Sequence, residues 1–147
     1  MARSPESGDE LLVFMRLIWA VDHQLQSVSK RMEASHGMTV PQRMTLLLIG
    51  RQPGVLASEL AELLHLHPGT ISGILSRLEA GGWIARKSDM GDARRRQLTL
   101  TAKGERANRR RKGTFQEAVK RALAASSRAE IDAASNVLRR LARALGQ

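Results

Sequence analysis

Apolar positions recur at helical spacing along most of this chain. Leu11, Phe14, Ile18, Val21, Leu25, Val28 and Met32 follow one another at steps of three and four. They make a continuous seam on a helix spanning about residues 9–36, after a tail that runs to about Gly8. Leu12, Leu17 and Trp19 widen the seam well beyond one stripe, so this helix needs more than one packing partner. Gly37 stops it. Thr39-Val40-Pro41-Gln42 then has capping-box spacing with proline in the first turn, and opens a second helix that ends at Gly50 and Gln52-Pro53-Gly54. Two short helices follow. One runs from residue 57 to about 64 with Leu60, Leu63 and Leu64. After the break at Leu66-His67-Pro68, the other carries Ile71, Ile74, Leu75 and Leu78 and stops at Gly81-Gly82.

The period then changes. Trp83 to Ser88 and Arg96 to Thr101, the latter with Leu98 and Leu100 alternating, predict a β-hairpin with Asp89–Arg96 between its strands. A long helix is expected from about Ala102 to Ala125, with Gly113 in its middle as a possible bend. A last helix is expected from about Arg128 to Leu145. Ser127-Arg128-Ala129-Glu130 forms its capping box, and Ile131, Ala134, Leu138, Leu141 and Leu145 its seam. The fold class is thus mainly α with a small β-hairpin wing.

Composition narrows the class. At 147 residues and 42% hydrophobic the chain can bury a core, and with two Trp, two Phe and no Tyr that core is aliphatic. Arg16 and Asp22 interrupt the longest apolar run before it reaches the roughly 20 residues of a membrane span. The first residues lack the pattern of a signal peptide, so the chain reads as cytoplasmic, with no membrane partner. Cysteine is absent, which removes disulfides, zinc thiolates and thiol redox sensing. Charge is concentrated: residues 82–112 carry 11 Lys/Arg against 3 Asp/Glu, which is +8 of the chain's net +10. Such focus fits a nucleic-acid footprint better than a generally basic surface does.

Two short helices, a tight turn and a hairpin make a winged helix-turn-helix, in which the second helix presents its exposed face to the DNA major groove. With Ile71, Ile74, Leu75 and Leu78 inward, Thr70, Ser72, Gly73, Ser76 and Arg77 lie outward. Small hydroxylated residues permit close approach to base edges, and Arg77 can fork onto a guanine or a phosphate. Pro68, Gly69 and Thr70 at the helix start are expected to offer free N–H groups to a phosphate. In the wing, Gly91 allows the turn and Arg94 is placed to enter the minor groove. Arg86, Arg95 and Arg96 are further candidates for DNA contact, and Asp92 is expected to hold an arginine and the loop in shape. A solvated polar helix face and an ordinary charged turn are the alternatives for each part taken alone.

Leu60-Ala61, Thr70-Ile71-Ser72, Arg77-Leu78 and Gly82-Trp83-Ile84 resemble the multiple-antibiotic-resistance regulator (MarR) family. So do Asp92-Ala93-Arg94 and Leu98-Thr99-Leu100-Thr101-Ala102-Lys103-Gly104. The resemblance extends from about Leu11 to Leu145. It implies a single domain over residues 1–147 that forms a homodimer through helices at about 9–36 and 102–147, with a DNA-binding lobe at about 39–101. It also implies binding to a pseudo-palindromic operator in double-stranded DNA, usually as a repressor, commonly relieved by a small phenolic or other anionic ligand. Three departures stand out. Gly73 replaces a larger polar or basic residue, Leu56 replaces a capping hydroxyl, and no cysteine exists for oxidation sensing.

No phosphate loop, nucleophile elbow or paired carboxylates point to an enzyme, and no cofactor is expected. His65 and His67, two apart with no acid cluster beside them, read as structural or helix-start residues rather than metal ligands. Arg16, Trp19 and His23 share one face of the first helix. In the geometry the resemblance implies, they border an effector cavity, where Arg16 meets a carboxylate and Trp19 an aromatic ring. Packing in the dimer core is the competing role for this face. The run Arg109-Arg110-Arg111-Lys112, taken as a full helical turn, cannot point all its charges at one partner. Two other functions compete with an operator-binding repressor. One is an architectural, nonspecific DNA-binding protein without an effector; the other is a helical adaptor, which leaves the +8 segment unexplained.

Overall fold

Helix α1, Gly8–His36, ends where Gly37 turns left-handed at φ +74° and returns its N–H to the Glu33 carbonyl at 3.0 Å. The computed structural model describes residues 8–89 and 91–146, and the chain divides into two compact units with the boundary between Val40 and Pro41. In the first unit, Met32 and Met38 are buried, and Ser29 Oγ accepts the Val40 N–H at 3.0 Å. Much of the remaining apolar seam faces outward: Leu11, Leu12, Val13, Phe14, Met15, Leu17, Trp19 and Val21 are all exposed.

The second unit takes α2, Val40–Arg51, through α3, Ala57–Leu63, and α4, Pro68–Ala80, into an antiparallel hairpin of β1, Ile84–Asp89, and β2, Asp92–Leu100. Helices α5, Ala102–Arg109, α6, Phe115–Ala124, and α7, Arg128–Leu145, complete it. Its core is aliphatic, as composition requires. Leu46 and Ile49 of α2, Leu60 of α3, Ile71, Leu75 and Leu78 of α4, and Ile84 and Leu98 of the hairpin are all buried. Val55 forms an isolated bridge to Leu98, with N–H···O bonds of 2.8 Å from Gly54 and 3.1 Å to Val55, which ties the α2–α3 connection to the wing.

The turn between α3 and α4 is built by His65, which adopts φ +52° although it carries a side chain. Its N–H bonds to the Glu62 carbonyl at 3.2 Å, and Leu66 N–H reaches back to Ala61 at 2.9 Å. These two bonds close α3 as a glycine would, at a cost of about 1–2 kcal/mol of backbone strain. The start of α3 lacks a side-chain cap from Leu56, and Glu59 alone supports it by accepting the Leu56 N–H at 2.8 Å.

Two boundaries differ from expectation. The wing is longer than its sequence pattern indicates: β2 begins at Asp92 rather than Arg96, so Arg95 also belongs to the strand, and Ser88 pairs with Arg96. The register shifts between Ser88 and Asp89, whose partners are Arg96 and Asp92, so this charged segment joins the strand through an irregular pairing that no apolar alternation marks.

The helix expected over 102–125 is two helices. α5 stops at Arg109, and Gly113 is left-handed at φ +74° rather than a bend within a helix. Arg43, 1% exposed, is bonded to both sides of the interruption. Its guanidinium donates to the carbonyls of Ala107 and Asn108, the latter at 3.0 Å, and to Gln116 Oε1 at 3.3 Å. A cation thus sits at the negative end of α5, where the Ala107 carbonyl also accepts the Arg110 N–H at 3.1 Å. Burial, and then the nearby Arg111 charge, push the Arg43 pKa below its usual value. Thr114 restarts the chain as the N-cap of α6, and Glu117 accepts the Gly113 N–H at 2.8 Å. The basic run 109–112 therefore straddles a helix end and is not a turn of helix. α7 begins with the expected capping box. Ser127 N–H donates to Glu130 at 2.7 Å, and Glu130 N–H to Ser127 Oγ at 3.3 Å.

Candidate nucleic-acid interface

Helix α4 divides its residues cleanly between two faces. Ile71, Ile74, Leu75 and Leu78 are buried, while Pro68, Gly69, Thr70, Ser72, Gly73, Ser76 and Arg77 are exposed. The exposed set is continuous along one side of the helix, and apart from Arg77 its side chains are short, as entry into a groove requires. A Cβ at Gly73 would meet nothing within 4 Å, so no fold constraint demands glycine there.

The start of α4 is closed by a side-chain cap in place of the expected free N–H groups. His67 is the N-cap, and its Nδ1 accepts the Gly69 N–H at 3.0 Å. The Thr70 N–H bonds to the His67 carbonyl at 2.9 Å, and Pro68 has no N–H to give. These positions therefore do not hold out free donors to a phosphate; their backbone is occupied by the cap. The helix-start role read for His67 is the one it has.

The end of α4 leads directly into the wing. Gly82, at φ +77°, donates its N–H to Glu79 at 3.0 Å, and Trp83 N–H reaches Leu78 at 3.0 Å. This paired closure requires the left-handed residue that glycine supplies. Glu79 also holds Arg86 of β1, with Nε 2.8 Å from Oε2. Arg86 is partly buried and engaged with α4, so it is set apart from the exposed arginines.

Arg95 and Arg96 are exposed on β2, where the register shifts: Arg96 pairs with Ser88, and the next pair is Asp89 with Asp92. The side chains of Asp92 and Arg94 lie outside the described residues. Arg16, Trp19 and His23 are exposed on α1, with Trp19 76% exposed.

An open concavity of about 1120 Å³ lies beside the helix-turn-helix. Its lining includes Glu62, His65, His67 and Arg86 together with Ala142, Arg143 and Leu145 near the end of α7. Among the described residues no group of three or more His, Asp or Glu is placed to hold a metal ion. Likewise no described helix is long and apolar enough to cross a membrane.

Sequence reasoning passed over Arg43 and the Glu79–Arg86 pair, because each depends on a partner on another element. It quoted Lys103 only as part of a motif, with no role attached.

Comparison with known proteins agrees with this geometry. Residues 36–95 match the model of the MarR family. The HTH-type transcriptional regulator TtmR of Methylorubrum extorquens is 34% identical over 100 residues, which cover 68% of this chain and half of that protein. The structure of FabT from Streptococcus pneumoniae in complex with DNA is 25% identical, with a TM-score of 0.68 over 92% of this chain and 96% of that one. The Mycobacterium tuberculosis MarR family protein Rv2887, in complex with salicylic acid, is 26% identical with a TM-score of 0.56, over 85% of this chain and 93% of that one.

Proposed function

Because the chain belongs to the MarR family, we propose that it is a sequence-specific, double-stranded-DNA-binding transcriptional regulator that acts as a homodimer. The observation that carries this reading is the α4 surface. A continuous exposed row of small and hydroxylated residues ends in Arg77, and the chain then passes through residues 81–83 into a hairpin that carries the exposed Arg95 and Arg96. The concentration of +8 within residues 82–112 supplies the electrostatic attraction that phosphates require. The relative FabT is seen with DNA, which supports the same use of the fold here.

Dimerisation rests on the apolar surface left uncovered. As well as the exposed seam of α1, Val119 and Leu123 of α6 and Leu138 and Leu145 of α7 are exposed. A second copy related by a two-fold axis covers such seams and sets two recognition helices about one DNA turn apart. Repression released by a small anionic or phenolic ligand is the regulatory mode we favour. A relative carries the description of repressor, and its structure holds salicylic acid. Arg16, Trp19 and His23 are our candidates for the ligand's carboxylate and ring.

Selection from a random-site duplex pool tests the core of this proposal. A pseudo-palindrome with half-sites about one helical turn apart is the expected product. Enrichment of base composition alone would favour the architectural reading. Salicylate should then weaken operator binding, and the operator should weaken salicylate binding by the same factor. Unchanged salicylate affinity in Arg16→Ala would remove Arg16 from that site.

A further inference from the structure

Three successive carbonyl oxygens, those of Gly81, Gly82 and Trp83, carry the chain out of α4, and all three are held by the segment that leaves β2. Lys103 Nζ donates to Gly81 at 2.6 Å, Thr101 Oγ1 to Gly82 at 2.5 Å, and the Thr101 N–H to Trp83 at 3.0 Å. The Lys103 ammonium also lies over the Trp83 ring, 4.6 Å from its centroid. Close packing completes the junction. A Cβ at Gly81 would fall 2.1 Å from the Trp83 ring, and one at Gly104 would fall 2.0 Å from the Trp83 carbonyl oxygen. Thr101 Oγ1 in addition caps α5 by accepting the Gly104 N–H at 3.1 Å.

We infer that Lys103 is a positioning residue that locks the wing to the C-terminal end of the recognition helix, rather than a cation spent on phosphates. It belongs to the +8 segment, so charge alone would count it as a backbone contact. Its ammonium is instead directed at a carbonyl at the negative end of α4 and at an aromatic face, both of which favour a cation. Thr101 and Lys103 together fix the angle between α4 and the hairpin. A helix in the major groove and a wing in the minor groove must dock simultaneously, so a fixed angle raises the fraction of molecules competent to bind. This inference rests on the DNA-binding reading proposed above.

The experiment measures affinity for the selected operator across a salt titration, for wild type, Lys103→Met, Lys103→Arg and Thr101→Val. Wild-type binding comes first, and its absence would overturn the DNA-binding reading itself. With binding established, Lys103→Met should weaken it about tenfold, the scale of an exposed cation–π contact and a charge-assisted hydrogen bond lost together. Its line of log affinity against log salt should stay parallel to wild type. Lys103→Arg should restore most of the affinity. Thr101→Val, which removes no charge, should shift the line in the same parallel way, and circular dichroism should show helix content retained in all variants. A slope shallower by about 0.9 per subunit in Lys103→Met would mark a phosphate contact and overturn the inference. So would wild-type affinity in that variant.

Discussion

The guanidinium of Arg43 donates to the carbonyl oxygen of Asn108 at 3.0 Å, joining α2 to the end of α5 across 65 positions of sequence. The same group takes the Ala107 carbonyl and Gln116 Oε1, so one buried side chain holds three acceptors on two sides of the α5–α6 break. Arg43→Met should remove this donor from all three acceptors, leaving the Ala107 carbonyl with the Arg110 N–H at 3.1 Å. A loss of about 2–4 kcal/mol is expected, read as a lowered urea midpoint at fixed protein concentration. Arg43→Lys should recover only part of it, since a single ammonium cannot reproduce the planar fork. A change below about 0.5 kcal/mol in Arg43→Met, the range of ordinary surface substitutions, would show that the junction holds without the network.

Gly73 stands in the middle of an exposed helix face, with nothing within 4 Å of where a Cβ would be. Glycine in a helix interior costs roughly 1 kcal/mol relative to alanine. Gly73→Ala should therefore raise stability by about 0.5–1 kcal/mol. If the bare backbone serves close approach to a duplex, the same variant should bind the operator more weakly. Higher stability with unchanged operator affinity would show that the glycine is not an element of recognition.

Leu138 is 58% exposed on the apolar seam of α7. Leu138→Asp places a charge where the second copy is proposed to pack, so the variant should dissociate or unfold. Sedimentation at micromolar concentration provides the measurement. A folded wild-type monomer under those conditions would end the dimer model.

Arg94 belongs to β2, and on the sequence it is the wing cation directed at the minor groove. Arg94→Ala should leave folding and dimerisation nearly intact and weaken operator binding by roughly 1–3 kcal/mol per arginine. The salt slope should become shallower by up to about 2 for the dimer, the change a phosphate contact gives and a positioning residue does not. Arg111→Ala is the control and should change binding much less. Wild-type behaviour of Arg94→Ala across the titration would remove the wing from DNA reading.

What could be read from the sequence was what neighbouring residues decide among themselves. The seam of α1, the buried stripe of α4 and the capping box at Ser127 follow from side chains three or four positions apart, and the helices lie where those patterns put them. The exposed face of α4 was legible for the same reason, since it is what the buried stripe leaves over.

Features with distant or competing partners were not legible. Arg43 reads as an ordinary polar position in α2, and only the approach of α5 turns it into a cap at the place where one expected helix is two. The N–H groups at the start of α4 look free until His67 folds over Gly69, and Arg86 looks unpaired until Glu79 meets its Nε. Lys103 counts as one more positive charge until the Gly81 carbonyl and the Trp83 ring are found beneath it. Local spacing determined the elements and the charge available to them. Which of those charges are also tied within the fold was decided by tertiary contacts, because the Glu79–Arg86 pair and the Lys103–Gly81 bond join residues that local spacing does not bring together.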